Sequence, residues 1–168
     1  MVGSIPSSLL IRLMAQSNFE FHRDHSDWFD RCAGSWTSHR RYVFNMEKMD
    51  PVNLVTEFTI EKCEEFGEYI VTWTGQTSGK MELRLVGETL HRSRDYFGDG
   101  ANSSRVQRID EDAIALFTSY DGLRFREEVR LLNADQLRLR QTIGYDIKTD
   151  EPRLVGQYYE IRQPQALY

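Results

Sequence analysis

The sequence predicts an all-β protein: an antiparallel up-and-down β-barrel of eight to ten strands with one short helix. Three observations predict it. About ten runs of seven to ten residues are rich in Val, Ile, Thr, Tyr, Phe and Trp. Gly, Asp, Asn or Pro separates each run from the next, and most connections are too short for a crossover helix, so neighbouring strands pair antiparallel. A meander of this size removes its own edges by closing on itself.

Residues 1–23 form an N-terminal extension. Its first 19 residues hold no acid, one base (Arg12) and four serines. That composition suits a mobile tail or a short helix and faintly resembles a transit-peptide remnant. Residues 24–168 form the single domain. Asp24 to Cys32 reads as the helix, because Asp24 or Ser26 can cap it and Trp28, Phe29 and Cys32 share one face. Gly34 ends it. The strands follow near 38–46, 52–61, 67–75, 78–86, 88–96, 103–109, 113–120, 123–132, 136–143 and 154–162. A barrel of this size has room for one small ligand, as lipocalin-type barrels do, which makes a binding cavity the default functional expectation.

Composition narrows the function. The chain has 168 residues, enough for one domain with a real core and too few for two. A net charge of −5, from 21 Lys plus Arg against 26 Asp plus Glu, provides no overall positive field and argues against nucleic acid as a partner. No apolar run approaches the roughly 20 residues of a membrane span. Cys32 and Cys63 stand too far apart and too isolated for a disulfide framework or a paired-thiol zinc site, which suits a reducing compartment.

The standard chemical motifs are missing. Gly75-Gln76-Thr77-Ser78-Gly79 carries its serine one place too late for a nucleophile elbow and reads as a hairpin turn. His22, His25, His39 and His91 show no metal-ligand spacing, so no metal is expected. Asn102-Ser103-Ser104 is formally a glycosylation sequon, but nothing else looks secreted. No Gly-rich phosphate loop occurs.

The informative stretch is Gln136 to Thr142. Strict alternation puts Arg138, Arg140 and Thr142 on one strand face and Leu137 and Leu139 on the other, with the two arginines about 7 Å apart along the backbone. If the leucines face the cavity, the arginines form a solvated stripe. If the arginines face it, they demand anions, because a buried unpaired cation is costly. A ligand with two carboxylates would meet that demand, and tetrapyrroles carry such paired propionates.

On the preceding strand Arg126, Glu128 and Arg130 share one face, and Phe125, Glu127, Val129 and Leu131 the other. Register decides which face joins the arginines. A three-residue loop, Asn133-Ala134-Asp135, sets Glu128 opposite Arg140; a two-residue loop sets Leu131 opposite Arg138. Glu160 sits in the last strand, and Trp73 ends an alternating run with Tyr69 and Val71.

A series of short motifs extends from Trp28-Phe29 through Gly34-Ser35-Trp36-Thr37-Ser38-His39-Arg40, Val71-Thr72-Trp73-Thr74-Gly75, Arg92-Ser93-Arg94-Asp95-Tyr96-Phe97 and Leu116-Phe117-Thr118-Ser119-Tyr120. It continues through Glu127-Glu128-Val129-Arg130 and Leu137-Arg138-Leu139-Arg140 to Glu160-Ile161-Arg162. In that order these pieces resemble the S/U-type phycobiliprotein chromophore (bilin) lyases, which attach open-chain bilins to phycobiliproteins. His39, Arg41, Val43 and Phe44 depart from the family's usual residues.

The resemblance implies a lipocalin-like barrel, with Arg138 and Arg140 holding the bilin propionates, Glu128 and Glu160 facing the pyrrole nitrogens as the catalytic pair, Trp73 packing on the tetrapyrrole and Arg40 as a further pocket residue. It implies a lyase that joins a cysteine thiolate of an acceptor subunit to the ethylidene group of the bilin's A ring, without needing Cys32 or Cys63. The implied substrate is phycoerythrobilin or phycocyanobilin, with no permanently bound cofactor. The implied partner is a phycobiliprotein subunit of the phycobilisome, and the implied assembly a homodimer or a heterodimer with a related lyase subunit. The implied setting is a cyanobacterial cytoplasm or plastid stroma. A non-catalytic lipocalin-type carrier of an acidic tetrapyrrole or fatty acid is the alternative that would use the same arginines.

Overall fold

The computed structural model describes residues 25–45, 49–94 and 102–164. The N-terminal extension and Asp24 lie outside them, as do the ends of the predicted first and fifth strands. Among the described residues, one helix, α1 (Ser26–Arg31), precedes ten strands: β1 (Gly34–Phe44), β2 (Val52–Lys62), β3 (Glu68–Thr74), β4 (Gly79–Val86), β5 (Thr89–Arg92), β6 (Asn102–Arg108), β7 (Ala113–Tyr120), β8 (Leu123–Leu132), β9 (Leu137–Asp146) and β10 (Pro152–Arg162). Every strand pairs antiparallel with its sequence neighbour, and β1 pairs with both β2 and β10 to close the barrel. The period-two pattern survives as alternating burial; in β4, Met81, Leu83 and Leu85 point inward while Lys80, Glu82 and Arg84 face out.

The chain enters the barrel earlier than its composition suggests. β1 begins at Gly34 rather than near residue 38, directly after Cys32 caps the helix. Gly34 has φ of 129°, and a Cβ there would stand 2.5 Å from the Arg162 guanidinium. That guanidinium bonds the carbonyls of Arg31, Ala33 and Asp135, so Gly34 leaves space for the cation that ties helix, strand and turn together.

Six residues cannot form a stable helix alone. The N-cap position falls on His25, whose side chain makes no capping hydrogen bond, and Asp24 lies outside the described residues. Tertiary contacts hold α1 instead. Trp28 and Phe29 are buried in the core, each contributing about 1.5–3 kcal/mol, and the Trp28 indole donates to the Asp112 carbonyl at 2.9 Å. Arg31 pairs with Asp112 at 2.7 Å and grips both oxygens of Asp135 at 3.0 and 2.6 Å, while Lys62 and the Tyr69 hydroxyl converge on Asp30. The helix is thereby fixed across one end of the barrel.

The Arg31 guanidinium holds the Asp135 carboxyl below its usual range, against the opposing effect of partial burial. A carboxyl lowered by folding contributes stability that is complete above its unfolded pKa of about 3.8 and is lost as pH falls through the lowered value. Asp135→Asn is therefore expected to cost roughly 1–2 kcal/mol at pH 7 and progressively less in acid. Urea denaturation of both proteins at pH 7 and below pH 4 checks this, and a difference that persists undiminished in acid would contradict it.

Candidate functional site

The barrel encloses a cavity of about 550 Å³ whose lining is largely apolar, including Phe58, Ile60, Leu83, Leu116 and Val129. Its polar groups concentrate on the wall formed by β8, β9, β10 and β1. The alternation in β9 resolves with the arginines inside: Arg138 and Thr142 are buried and Arg140 lines the cavity, while Leu139 is exposed on the outer wall.

Each arginine is held by a carboxylate. Glu160 is fully buried directly opposite Arg138 across the β9–β10 pair, and Arg138 Nε donates to Glu160 Oε2. Arg140 Nη2 donates to Glu127 Oε2 at 2.5 Å, and the Thr142 hydroxyl donates to the same oxygen at 3.2 Å. Ser38 extends the first pair by donating to Glu160 Oε1 at 3.0 Å while accepting from Arg40 Nε at 3.0 Å. Aromatic rings flank the cations: Arg138 lies 5.1 Å from both Trp36 and Phe58, and Arg140 lies 4.7 Å from Tyr158.

Burial disfavours the ionised form of Glu160, but the charges of Arg138 and Arg140 and the hydrogen bonds from Arg138 and Ser38 outweigh it and hold the carboxyl below its usual range. For Arg138 the sign mirrors this, since burial opposes the cation and Glu160 more than offsets that cost. Cys32 also lines the cavity, and burial pushes its thiol up, so it stays protonated and weakly nucleophilic. Among the described residues no cluster of His, Cys, Asp and Glu is arranged to hold a metal ion.

Glu128 requires a correction. It lies on the outer wall, half exposed, with Arg126 at 3.5 Å, and the carboxylate inside the barrel is Glu127. The cause is register. The β8–β9 turn holds four residues, so Leu132 faces Leu137, Leu131 faces Arg138 and Val129 faces Arg140. Asn133, Ala134 and Asp135 all adopt left-handed φ, between 48° and 63°. Tertiary bonds hold that conformation, from Arg31 to the Asp135 carboxylate and from Arg162 to its carbonyl. Glu127 could have been noticed as the single charge on a face shared with Phe125, Val129 and Leu131, and Ser38 as the residue between Trp36 and Arg40 in β1's alternation.

Trp73 and Arg40 both line the cavity. The Trp73 ring lies across Gly79, its partner on β4, where an added Cβ would stand 2.3 Å from the indole. Gly79→Ala is expected to drive the indole away from the wall and cost about 1–3 kcal/mol. A changed near-UV circular dichroism signal with unchanged far-UV signal reports that shift, and unaltered near-UV bands would refute it.

No family model matches the chain. It is 24% identical to CpcV of Picosynechococcus sp., provisionally named a chromophore lyase, over 80% of this chain and 79% of that one. It is also 24% identical to CpcS 2 of Nostoc sp., provisionally named a phycocyanobilin lyase, over 81% of this chain and 89% of that one. Among solved structures, the S-type phycobiliprotein lyase CpeS of Guillardia theta superposes with a TM-score of 0.61 at 14% identity, covering 87% of this chain and 99% of that one. The last comparison establishes the shared barrel, and the first two extend the likeness to sequence. By both measures this chain resembles the CpcS/CpcV-type phycobilin lyase family.

Proposed function

We propose that this protein is a phycobiliprotein chromophore lyase that binds an open-chain bilin in the barrel and promotes its thioether attachment to a cysteine of a phycobiliprotein subunit. The observation that carries the reading is the pair of cavity arginines, Arg138 and Arg140, each matched to a carboxylate inside a largely apolar barrel. A bilin offers the complement: an apolar conjugated body and two propionates. Phycocyanobilin and phycoerythrobilin both fit this description, and the naming of the Nostoc relative favours the former.

The arginines already hold carboxylates, so an entering dianion exchanges with Glu160 and Glu127 rather than filling unmet demand. The propionates take the guanidinium faces, and the released carboxylates then accept hydrogen bonds from the pyrrole N–H groups and stabilise the protonated, more electrophilic bilin. Trp73, on the wall of the same cavity, supplies a flat surface for the conjugated rings. In the chemical step the acceptor thiolate forms a C–S bond with the exocyclic ethylidene carbon of the A ring, and the neighbouring ring carbon takes up a proton. The protein supplies no nucleophile; it contributes one conformer and one exposed face, an effect of proximity and orientation.

Co-expression with bilin-synthesising enzymes and candidate phycobiliprotein subunits tests the reading. Pigment that stays with the subunit through denaturing electrophoresis is the expected result, with yield falling in Arg138→Ala and Arg140→Ala. Bilin bound reversibly by the barrel without transfer to any subunit would point instead to a carrier.

A further inference from the structure

The wall facing the arginine–carboxylate pairs is not uniformly apolar. Arg92, the last residue of β5, is 4% exposed and lines the cavity. Its Nη1 donates to the Ser104 hydroxyl on β6, and Ser104 shares a hydrogen bond with the Thr118 hydroxyl on β7. All three side chains are buried, and they form a polar ladder across three adjacent strands between Leu90, Val106 and Leu116. In the ring of ten strands β5 lies five places from β10 in either direction, so Arg92 stands on the wall opposite Glu160.

Placing a guanidinium in such a wall costs desolvation, and the hydroxyl ladder behind it fixes the direction of its donors. An open-chain tetrapyrrole carries its propionates on the two inner rings and a lactam carbonyl on each outer ring. With the propionates at Arg138 and Arg140, the polar atoms that extend away from that wall are the lactam oxygens. Resting on the function proposed above, we infer that Arg92, braced by Ser104 and Thr118, donates a hydrogen bond to a terminal lactam carbonyl of the bound bilin. A closed macrocycle such as haem has the propionates but no lactam carbonyl, so this contact distinguishes open-chain from closed tetrapyrroles.

Biliverdin, with two propionates and two lactam carbonyls, is the probe. Absorbance titration gives its affinity, and vibrational spectroscopy of the bound pigment gives the lactam C=O stretch. In Arg92→Leu the stretch is expected to move to higher wavenumber and the Kd to rise about tenfold, while the affinity for haem is unaltered. A C=O stretch identical in wild type and Arg92→Leu overturns the assignment even if affinity falls, because a merely structural role would leave that band in place. Equal losses for biliverdin and haem overturn the discrimination. Should Arg92→Leu fail to fold, Ser104→Ala retains the guanidinium and loosens its brace; a partial upward shift supports the inference and an unmoved band overturns it. If wild type binds no bilin, the functional reading itself fails, whereas binding and transfer with an unmoved band remove only Arg92.

Discussion

Glu160→Ala should lower the unfolding free energy by about 3–5 kcal/mol, because it strands the Arg138 guanidinium in the core without its counter-charge. Glu160 has no solvent exposure, and Arg138 is buried on the cavity wall 5.1 Å from both the Trp36 and Phe58 rings, so water replaces the lost carboxylate only poorly. The double variant Glu160→Leu with Arg138→Met removes both charges at similar volume and is expected to recover most of the loss. Urea denaturation of the three proteins reads the comparison. A single-variant cost below about 1 kcal/mol would mean that the pair is solvated and that the buried-charge argument fails.

The second large effect separates two adjacent glutamates. Glu127→Gln is expected to slow thioether formation roughly tenfold to a hundredfold, the equivalent of losing one charge-assisted hydrogen bond of about 1.5–3 kcal/mol at the pyrrole nitrogens. Bilin affinity should hold or rise, because the variant also removes the carboxylate that competes with a propionate for Arg140. The long-wavelength band of the bound pigment should weaken or shift. Glu128→Gln, on the outer wall beside Arg126, should change neither the spectrum nor the transfer rate, and should cost less than about 1 kcal/mol of stability. Stopped-flow transfer to an acceptor subunit with parallel titrations distinguishes the two, and equal behaviour of the two variants would remove Glu127 from the site.

The contrast between these glutamates marks where sequence reading stops. The strands were legible because half-buried sheets impose a period of two that local composition displays, as in Arg138, Arg140 and Thr142 on β9. Glu160 came into view only through the family resemblance, because a lone glutamate in a strand ordinarily faces solvent. Which of Glu127 and Glu128 enters the barrel depends on a single residue of register. That register rests on a turn of three left-handed residues held by Arg31 from the helix and Arg162 from β10. Neither partner is near the turn in sequence, so no local propensity could reveal it. The Arg92–Ser104–Thr118 ladder was invisible because its three members become neighbours only when β5, β6 and β7 pair.

The helix tied across the barrel end also gives the vessel a floor. With Arg31, Asp30 and Trp28 all bonded to the turns and strands around them, the helix works as a stopper at that end among the described residues. Under the function proposed above, a pigment that enters this vessel comes to rest against a fixed floor, built by the same helix that supplies Trp28 and Phe29 to its lining.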